Sequence, residues 1–175
     1  AAYAAGLVDA VLPRDAVVGW LTAALRTLAP ADHGAAVRPA RSAGGPQAHD
    51  RGEAGGWEQV LRSRARTAGG RALLQGLLTD LVPLRAPHGD ETVFAALGRL
   101  EGRPVVGVAL AAELGGRPTP DGYRLATRAY RLAGRLGLPV LSLVDTPGAD
   151  PGPAAERDGI APAMGEAMTD RKSVV

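Results

Sequence analysis

The 175-residue chain contains no cysteine, and its only lysine is Lys172. Without cysteine there is no disulfide, no thiolate nucleophile and no Cys-ligated zinc within these residues. Phe, Tyr and Trp together make 3% of the chain, too few for a platform that stacks nucleic-acid bases, so any core has to be built from Ala, Leu and Val. His33, His49 and His88 lie far apart and show no ligand spacing, so no metal site is expected. No apolar run approaches the roughly 20 residues of a membrane span, and no signal-peptide layout is visible. The expectation is a cytoplasmic protein with neither a membrane nor a nucleic-acid partner.

What is present is 46% hydrophobic and 22% charged, with a formal net charge of +2, the composition of a globular domain with a real core. The strong preference for Arg over Lys reads as the codon bias of a GC-rich genome. Residues 170–175, DRKSVV, break that composition and match what a common sequencing adapter spells in one frame. Together with an opening on Ala1, this gives the expectation of a gene fragment with a non-native tail over 170–175. Amplification across the junction from genomic DNA tests it, and a native frame running through DRKSVV refutes it.

Three zones follow. Residues 1–29 read as a strand or turn and then an amphipathic helix, capped by Asp15, with Val17, Val18, Leu21, Ala24, Leu25 and Leu28 at helical spacing. Residues 30–56 hold one large aliphatic, Val37, among Pro, Gly, Ala and charges. That is too little apolar surface to offset the entropy of ordering, so a flexible linker is expected there.

Residues 57–169 carry the information. WEQVLRSRAR and RALLQGLLTDLVPL read as helices, the second broken at Pro83. Val93–Leu100 and Pro104–Ala111 read as a hairpin turning at Glu101-Gly102-Arg103. A helix runs from Pro120 to Leu136 and stops at Gly137. A strand, Pro139–Val144, then ends abruptly in Asp145-Thr146-Pro147-Gly148, and a short helix with Pro162 in its first turn follows. The expected class is α/β with a mostly parallel sheet, and ligands in such sheets gather at the carboxyl ends of strands.

DTPG also occurs where GTPases sense a terminal phosphate, but that chemistry needs a glycine-rich loop with a lysine, which one lysine at position 172 cannot supply. The bland alternative is a turn shaped by Pro147 and Gly148 and capped by Asp145. On the preceding helix, Arg124, Arg128, Arg131 and Arg135 fall on one face. That stripe is either a solvated face or is answered by an anionic ligand, an acidic partner or a nearby acidic helix.

The segment TPDGYRLATRAYRLAGRLGLPVLSLVDTPGADPGPAAERDGIAPAMGEAM, with GRLEGRPV upstream and a leading helix near Trp57, resembles the alpha subunit of the carboxyltransferase of bacterial acetyl-CoA carboxylase, a member of the crotonase superfamily. The likeness covers about residues 57–169 and is most specific over 119–160. Residues 6–28 resemble the end of a beta subunit. The implied layout is a beta-subunit-like end over 1–29, a linker over 30–56 and the start of an alpha-subunit-like domain over 57–169, with a crotonase-like ββα repeat.

The resemblance implies carboxyl transfer from carboxybiotin to acetyl-CoA, giving malonyl-CoA, within an ATP-binding complex of fatty acid biosynthesis. Its partners are the biotin carboxyl carrier protein, biotin carboxylase and further carboxyltransferase chains. Asp145, Thr146, Pro147, Gly148 and Ala149 become the biotin-side turn, and Arg124 and Arg128 become anion- or CoA-binding residues. The segment Ala111–Arg117 is shorter and less basic than the family's. The family's glycine-rich oxyanion loop and its zinc ribbon are expected outside these residues, so the 175 residues alone should be inactive. The alternatives are another crotonase-type CoA enzyme and a noncatalytic assembly subunit.

Overall fold

The computed structural model describes residues 1–30, 55–64, 69–111 and 116–173. The linker expected over 30–56 lies outside them except at its ends, as do His33, His49 and Val37. The chain divides into two units, residues 1–30 with 68–175, and residues 31–67. The described part of the second is helix α2 (Gly56–Arg64), which has Glu58 in its first turn, where an acid complements the helix dipole.

The first unit comprises α1 (Val17–Leu28), α3 (Gly70–Leu77), β1 (Thr79–Leu84), a 3₁₀ turn (Pro87–Gly89), β2 (Val93–Leu100), β3 (Arg103–Ala111), α4 (Pro120–Leu136), β4 (Val140–Asp145), α5 (Pro153–Arg157) and α6 (Ile160–Ser173). The strands form one sheet in the order β1-β2-β3-β4. β1–β2 and β2–β3 are antiparallel, and only β3–β4, joined through α4, is parallel. The sheet is therefore mixed rather than mostly parallel. The difference lies in LLTDLVPL: the helix stops at Leu77, Leu78 turns extended (φ −101, ψ 140), and Thr79–Leu84 adds an antiparallel strand. Pro83 sits in that strand opposite Ala96, which is tolerated because β1 is an edge strand.

The hairpin closes through Glu101 and Gly102, both at positive φ (49 and 78), the conformation of a two-residue turn matched to sheet twist. Along β2 and β3 side chains alternate between two cores. Val93, Ala95, Leu97, Val106, Val108 and Leu110 meet α4 and α6 on one face, while Phe94, Ala96, Val105 and Ala109 meet Leu74 and Leu78 of the α3 segment on the other.

α4 begins with Thr119, whose Oγ1 accepts from the Gly122 N–H at 3.2 Å, and Pro120 follows at the first helical position. It ends at Gly137, left-handed (φ 64, ψ 33), whose N–H bonds to the carbonyls of Ala133 and Gly134.

The N-terminal arm is fastened to this unit. Asp15 does not cap α1: Ala16 holds the cap position with near-helical angles and no side-chain bond. The stripe that packs inward is Trp20, Ala24 and Leu28, whereas Val18 and Leu25 stay exposed. Thr27, 1% exposed, donates its hydroxyl to the carbonyls of Asp80 (2.8 Å) and Ala23 (3.0 Å). The Arg99 guanidinium reaches the carbonyls of Arg26 (2.8 Å) and Ala29 (2.9 Å), satisfying the open C-terminal end of α1.

Candidate functional site

β4 delivers its carboxyl end to the surface, with Val144 and Asp145 both exposed. Past Asp145 the chain turns through Thr146-Pro147-Gly148-Ala149. Thr146 Oγ1 accepts from the Gly148 N–H at 3.3 Å and lies 3.2 Å from the Gly148 carbonyl, to which it can donate, so one hydroxyl stitches the turn. Gly148 has φ +113, a backbone state closed to ordinary L residues. A Cβ placed there would meet nothing nearer than Arg117 Nη1 at 4.0 Å. The glycine thus serves conformation and leaves open space above the turn.

With the Gly148 N–H engaged by Thr146, the Ala149 N–H has no acceptor among the described residues. Next come an Asp150 carboxylate accepting from the Gly152 N–H at 2.8 Å and the start of α5. The turn is held from outside by residues 116–119, a strap: the Asp150 N–H donates to the Pro118 carbonyl at 3.0 Å, and Arg117 Nη1 reaches the Ala149 carbonyl at 3.5 Å.

The structure gathers Asp145 to Ala149 into this single turn, and it places Arg124 and Arg128 elsewhere, on the outer face of α4. There Arg124, Arg128, Arg131 and Arg135 line an open groove of about 540 Å³ with Thr127, Gly134 and Glu166. Arg124 pairs with Asp121 (2.7 Å) and Asp158 (3.0 Å). Arg128 pairs with Asp9 and donates to the carbonyls of Gly6 and Arg85. Arg131 pairs with Glu166 and with Asp170, two acids one turn apart on α6, which realises the nearby acidic helix. Arg135 has no ion partner among the described residues. Hydrogen bonds to Asp121 and Asp158 raise the Arg124 pKa, and the bond to Glu166 raises that of Arg131.

At the start of α4, Asp121 also takes a bond from His88 Nδ1 at 2.7 Å. Burial pushes the Asp121 carboxyl up, but the bonds and charges of His88 and Arg124 outweigh it and hold the group below the usual carboxylate range. Burial raises the Tyr123 phenol. Among the described residues no cluster of three or more His, Asp or Glu could hold a metal, and no helix is long and apolar enough to cross a membrane.

Sequence reasoning missed Asp90, Thr92 and Pro118. Asp90 Oδ2 accepts from the Thr119 hydroxyl at 2.6 Å, and its Oδ1 accepts from the Thr92 hydroxyl (2.7 Å) and N–H (2.9 Å). The one available signal was Thr119 before Pro120, a helix-start pattern; nothing in the sequence ties Asp90 to it.

The fold has relatives among solved structures. Transcarboxylase 12S, solved with methylmalonyl-coenzyme A and methylmalonic acid bound, superposes with a TM-score of 0.54 at 21% identity, over 59% of this chain and 21% of that one. At that identity the likeness concerns the fold alone. Sequence narrows the class. Residues 58–174 match the family "Acetyl co-enzyme A carboxylase carboxyltransferase-like", and the chain belongs to that family.

Among curated relatives, the acetyl-coenzyme A carboxylase carboxyl transferase subunits beta/alpha of Salinispora tropica are 37% identical over 184 residues, covering 92% of this chain and 32% of the relative. The alpha subunit of Acidiphilium cryptum is 42% identical over 120 residues, covering 61% of this chain and 37% of the relative. The chain thus spans about a third of the length of these two relatives.

Proposed function

We propose that this chain carries part of the carboxyltransferase component of a biotin-dependent acetyl-CoA carboxylase, the reaction that turns acetyl-CoA into malonyl-CoA for fatty acid biosynthesis. The observation that carries the reading is the turn after β4, with its open space over Gly148 and the Ala149 N–H left without an acceptor among the described residues, in a chain of this family. The Salinispora relative, named as subunits beta/alpha and matched across 92% of the chain, supports a beta-like end over 1–29 joined to an alpha-like start from 57.

Biotin, held on a separate carrier protein, supplies the carboxyl group from its ureido nitrogen. That N–C bond breaks as a C–C bond forms at the α carbon of the acyl-CoA, and the proton lost from that carbon ends on biotin. Negative charge collects on the ureido and thioester oxygens. A backbone N–H suits such an oxyanion because it does not titrate, and one well-placed donor contributes on the order of a hundredfold in rate. In this reading the Ala149 N–H is that donor on the biotin side. Asp145, Thr146 and Pro147 set the turn, and Gly148 keeps it open.

Arg124 and Arg128 stay assigned to an anion, a CoA phosphate or a carboxylate, only through exchange with their internal carboxylates; Arg135 is the guanidinium in the groove best placed to meet one directly. The implied partners are the biotin carboxyl carrier protein, biotin carboxylase and further carboxyltransferase chains, and the implied compartment is the cytoplasm.

The test is carboxyl transfer by the longer protein that contains this segment, assayed with its carrier and acetyl-CoA beside the 175-residue chain. Malonyl-CoA from the longer protein alone is expected. Its absence with acetyl-CoA and with longer acyl-CoAs refutes the function, and comparable turnover by the 175 residues refutes the expectation that the oxyanion loop lies elsewhere.

A further inference from the structure

Asp90 lies on the loop before β2, well outside the turn, yet the two hydroxyls its carboxylate engages, those of Thr92 and Thr119, begin a chain of bonds that leads toward that turn. An ionised carboxylate accepts hydrogen bonds and donates none. Both hydroxyl protons in its neighbourhood are therefore drawn to it, that of Thr119 at 2.6 Å and that of Thr92 at 2.7 Å. Each hydroxyl is left presenting lone pairs to a backbone N–H: Thr119 Oγ1 accepts from Gly122 at 3.2 Å, and Thr92 Oγ1 accepts from Thr119 at 3.3 Å.

One carboxylate thus sets the polarity of two hydroxyls, and these fix both the cap of α4 and the backbone of residue 119. The packing leaves little play. A Cβ on Gly122 would stand 2.7 Å from Thr92 Oγ1 and 3.0 Å from Asp90 Oδ1, so the pair fills the space against the bare first turn of α4. The next residue back, Pro118, is fully buried, and its carbonyl receives the Asp150 N–H at 3.0 Å.

We infer that Asp90 is a positioning residue for the turn: through Thr92, Thr119 and the Pro118 carbonyl it fixes where the chain leaves Ala149. The link to carboxyl transfer rests on the function proposed above; the link to the position of Asp150 does not. Asp90→Asn is nearly isosteric but replaces one acceptor oxygen by an NH₂ donor, so one of the two hydroxyls must turn its proton away and accept from the amide in competition with its backbone N–H.

Two measurements test this. In the 175-residue chain, amide hydrogen exchange at Asp150 should quicken at least tenfold in Asp90→Asn while Val106, central in the sheet, keeps its wild-type rate. An unchanged Asp150 rate, or equal quickening at both positions, overturns the inference. In the longer protein run in reverse, with malonyl-CoA giving up its carboxyl group to biocytin, a soluble biotin acceptor, and leaving acetyl-CoA, kcat/KM for biocytin should fall about tenfold with the KM for malonyl-CoA unchanged. Faster Asp150 exchange with unaltered transfer breaks the link to function. If the wild-type longer protein shows no transfer, the proposed function fails while exchange still decides the positioning role. Should Asp90→Asn not fold, Thr92→Val removes one of the two hydroxyls and is read by the same criteria.

Discussion

Asp9 and Arg128, 119 residues apart in sequence, form an ion pair that fastens the N-terminal arm to the middle of α4. The same Asp9 oxygen accepts from the Arg85 N–H at 2.7 Å, and the same guanidinium donates to the carbonyls of Gly6 at 3.2 Å and Arg85 at 2.9 Å. Three segments of the chain meet at one arginine.

Replacing that arginine should therefore cost more than an ordinary surface pair. Arg128→Met keeps much of the apolar stem but strands one carboxylate and two carbonyls. Because both partners remain about a third exposed, water offsets part of the loss, and a destabilisation of about 1–3 kcal/mol is expected. Urea denaturation measures it. A change below about 0.5 kcal/mol would show that the arm is held by its apolar contacts alone.

Gly148→Ala should not be silent for stability, even though a methyl there meets no atom closer than 4.0 Å. At φ +113 the cost is in the backbone, of order 1–3 kcal/mol, and the melting temperature should fall by several degrees. The cleaner probe of the turn is Thr146→Val, which removes the hydroxyl stitch and leaves φ alone. Transfer by the longer protein should drop severalfold with little change in melting temperature; a wild-type rate would make the stitch irrelevant to activity.

Thr27→Val keeps shape and deletes a hydroxyl buried to 1% exposure. The carbonyl of Asp80, itself at φ +51, loses its donor at a part-buried bond, which should destabilise by about 0.5–1.5 kcal/mol. Thr27→Ser, which keeps the hydroxyl and loses a methyl, should recover part of this. If Ser is no better than Val in thermal or urea unfolding, the hydrogen bond is not what holds α1.

Asp121 gives a pH signature. Its folded-state pKa is depressed, so its contribution is present above the unfolded value of about 4 and is lost as pH falls through the lower folded value. The stability gap between wild type and Asp121→Asn should thus be open at pH 5 and shrink progressively below about pH 4. A gap of the same size at pH 2.5 would mean that the aspartate acts by shape and not by charge.

Local chemistry was legible, and contacts across the chain were not. Thr119-Pro120 and Gly137 announce both ends of α4 because caps and stops act within a few residues. Glu101-Gly102 announces the hairpin, and the aliphatic run into DTPG announces the turn at the end of β4. β1 was hidden because LLTDLVPL continues the apolar spacing of the helix before it, and Pro83 breaks a helix as readily as it sits on a sheet edge. Asp90 was hidden for a different reason: its meaning comes from Thr119, 29 residues away, which no periodicity encodes. The arginine stripe was visible as a pattern, but apart from Asp121 on α4 itself its answering acids sit on the arm, the α5–α6 turn and α6.

Pro83 has one more effect. A strand approaching the outer side of β1 finds a proline ring in the row of amides, and this short edge strand already carries an irregular register between Thr79 and Val82. Both features discourage edge-to-edge association. The opposite margin, β4, runs from Val140 to Asp145 without a proline and pairs only with β3 among the described residues. The two margins of the sheet therefore differ among the described residues: β1 carries a proline and an irregular register against lengthening, and β4, which ends in the Thr146–Ala149 turn, carries neither.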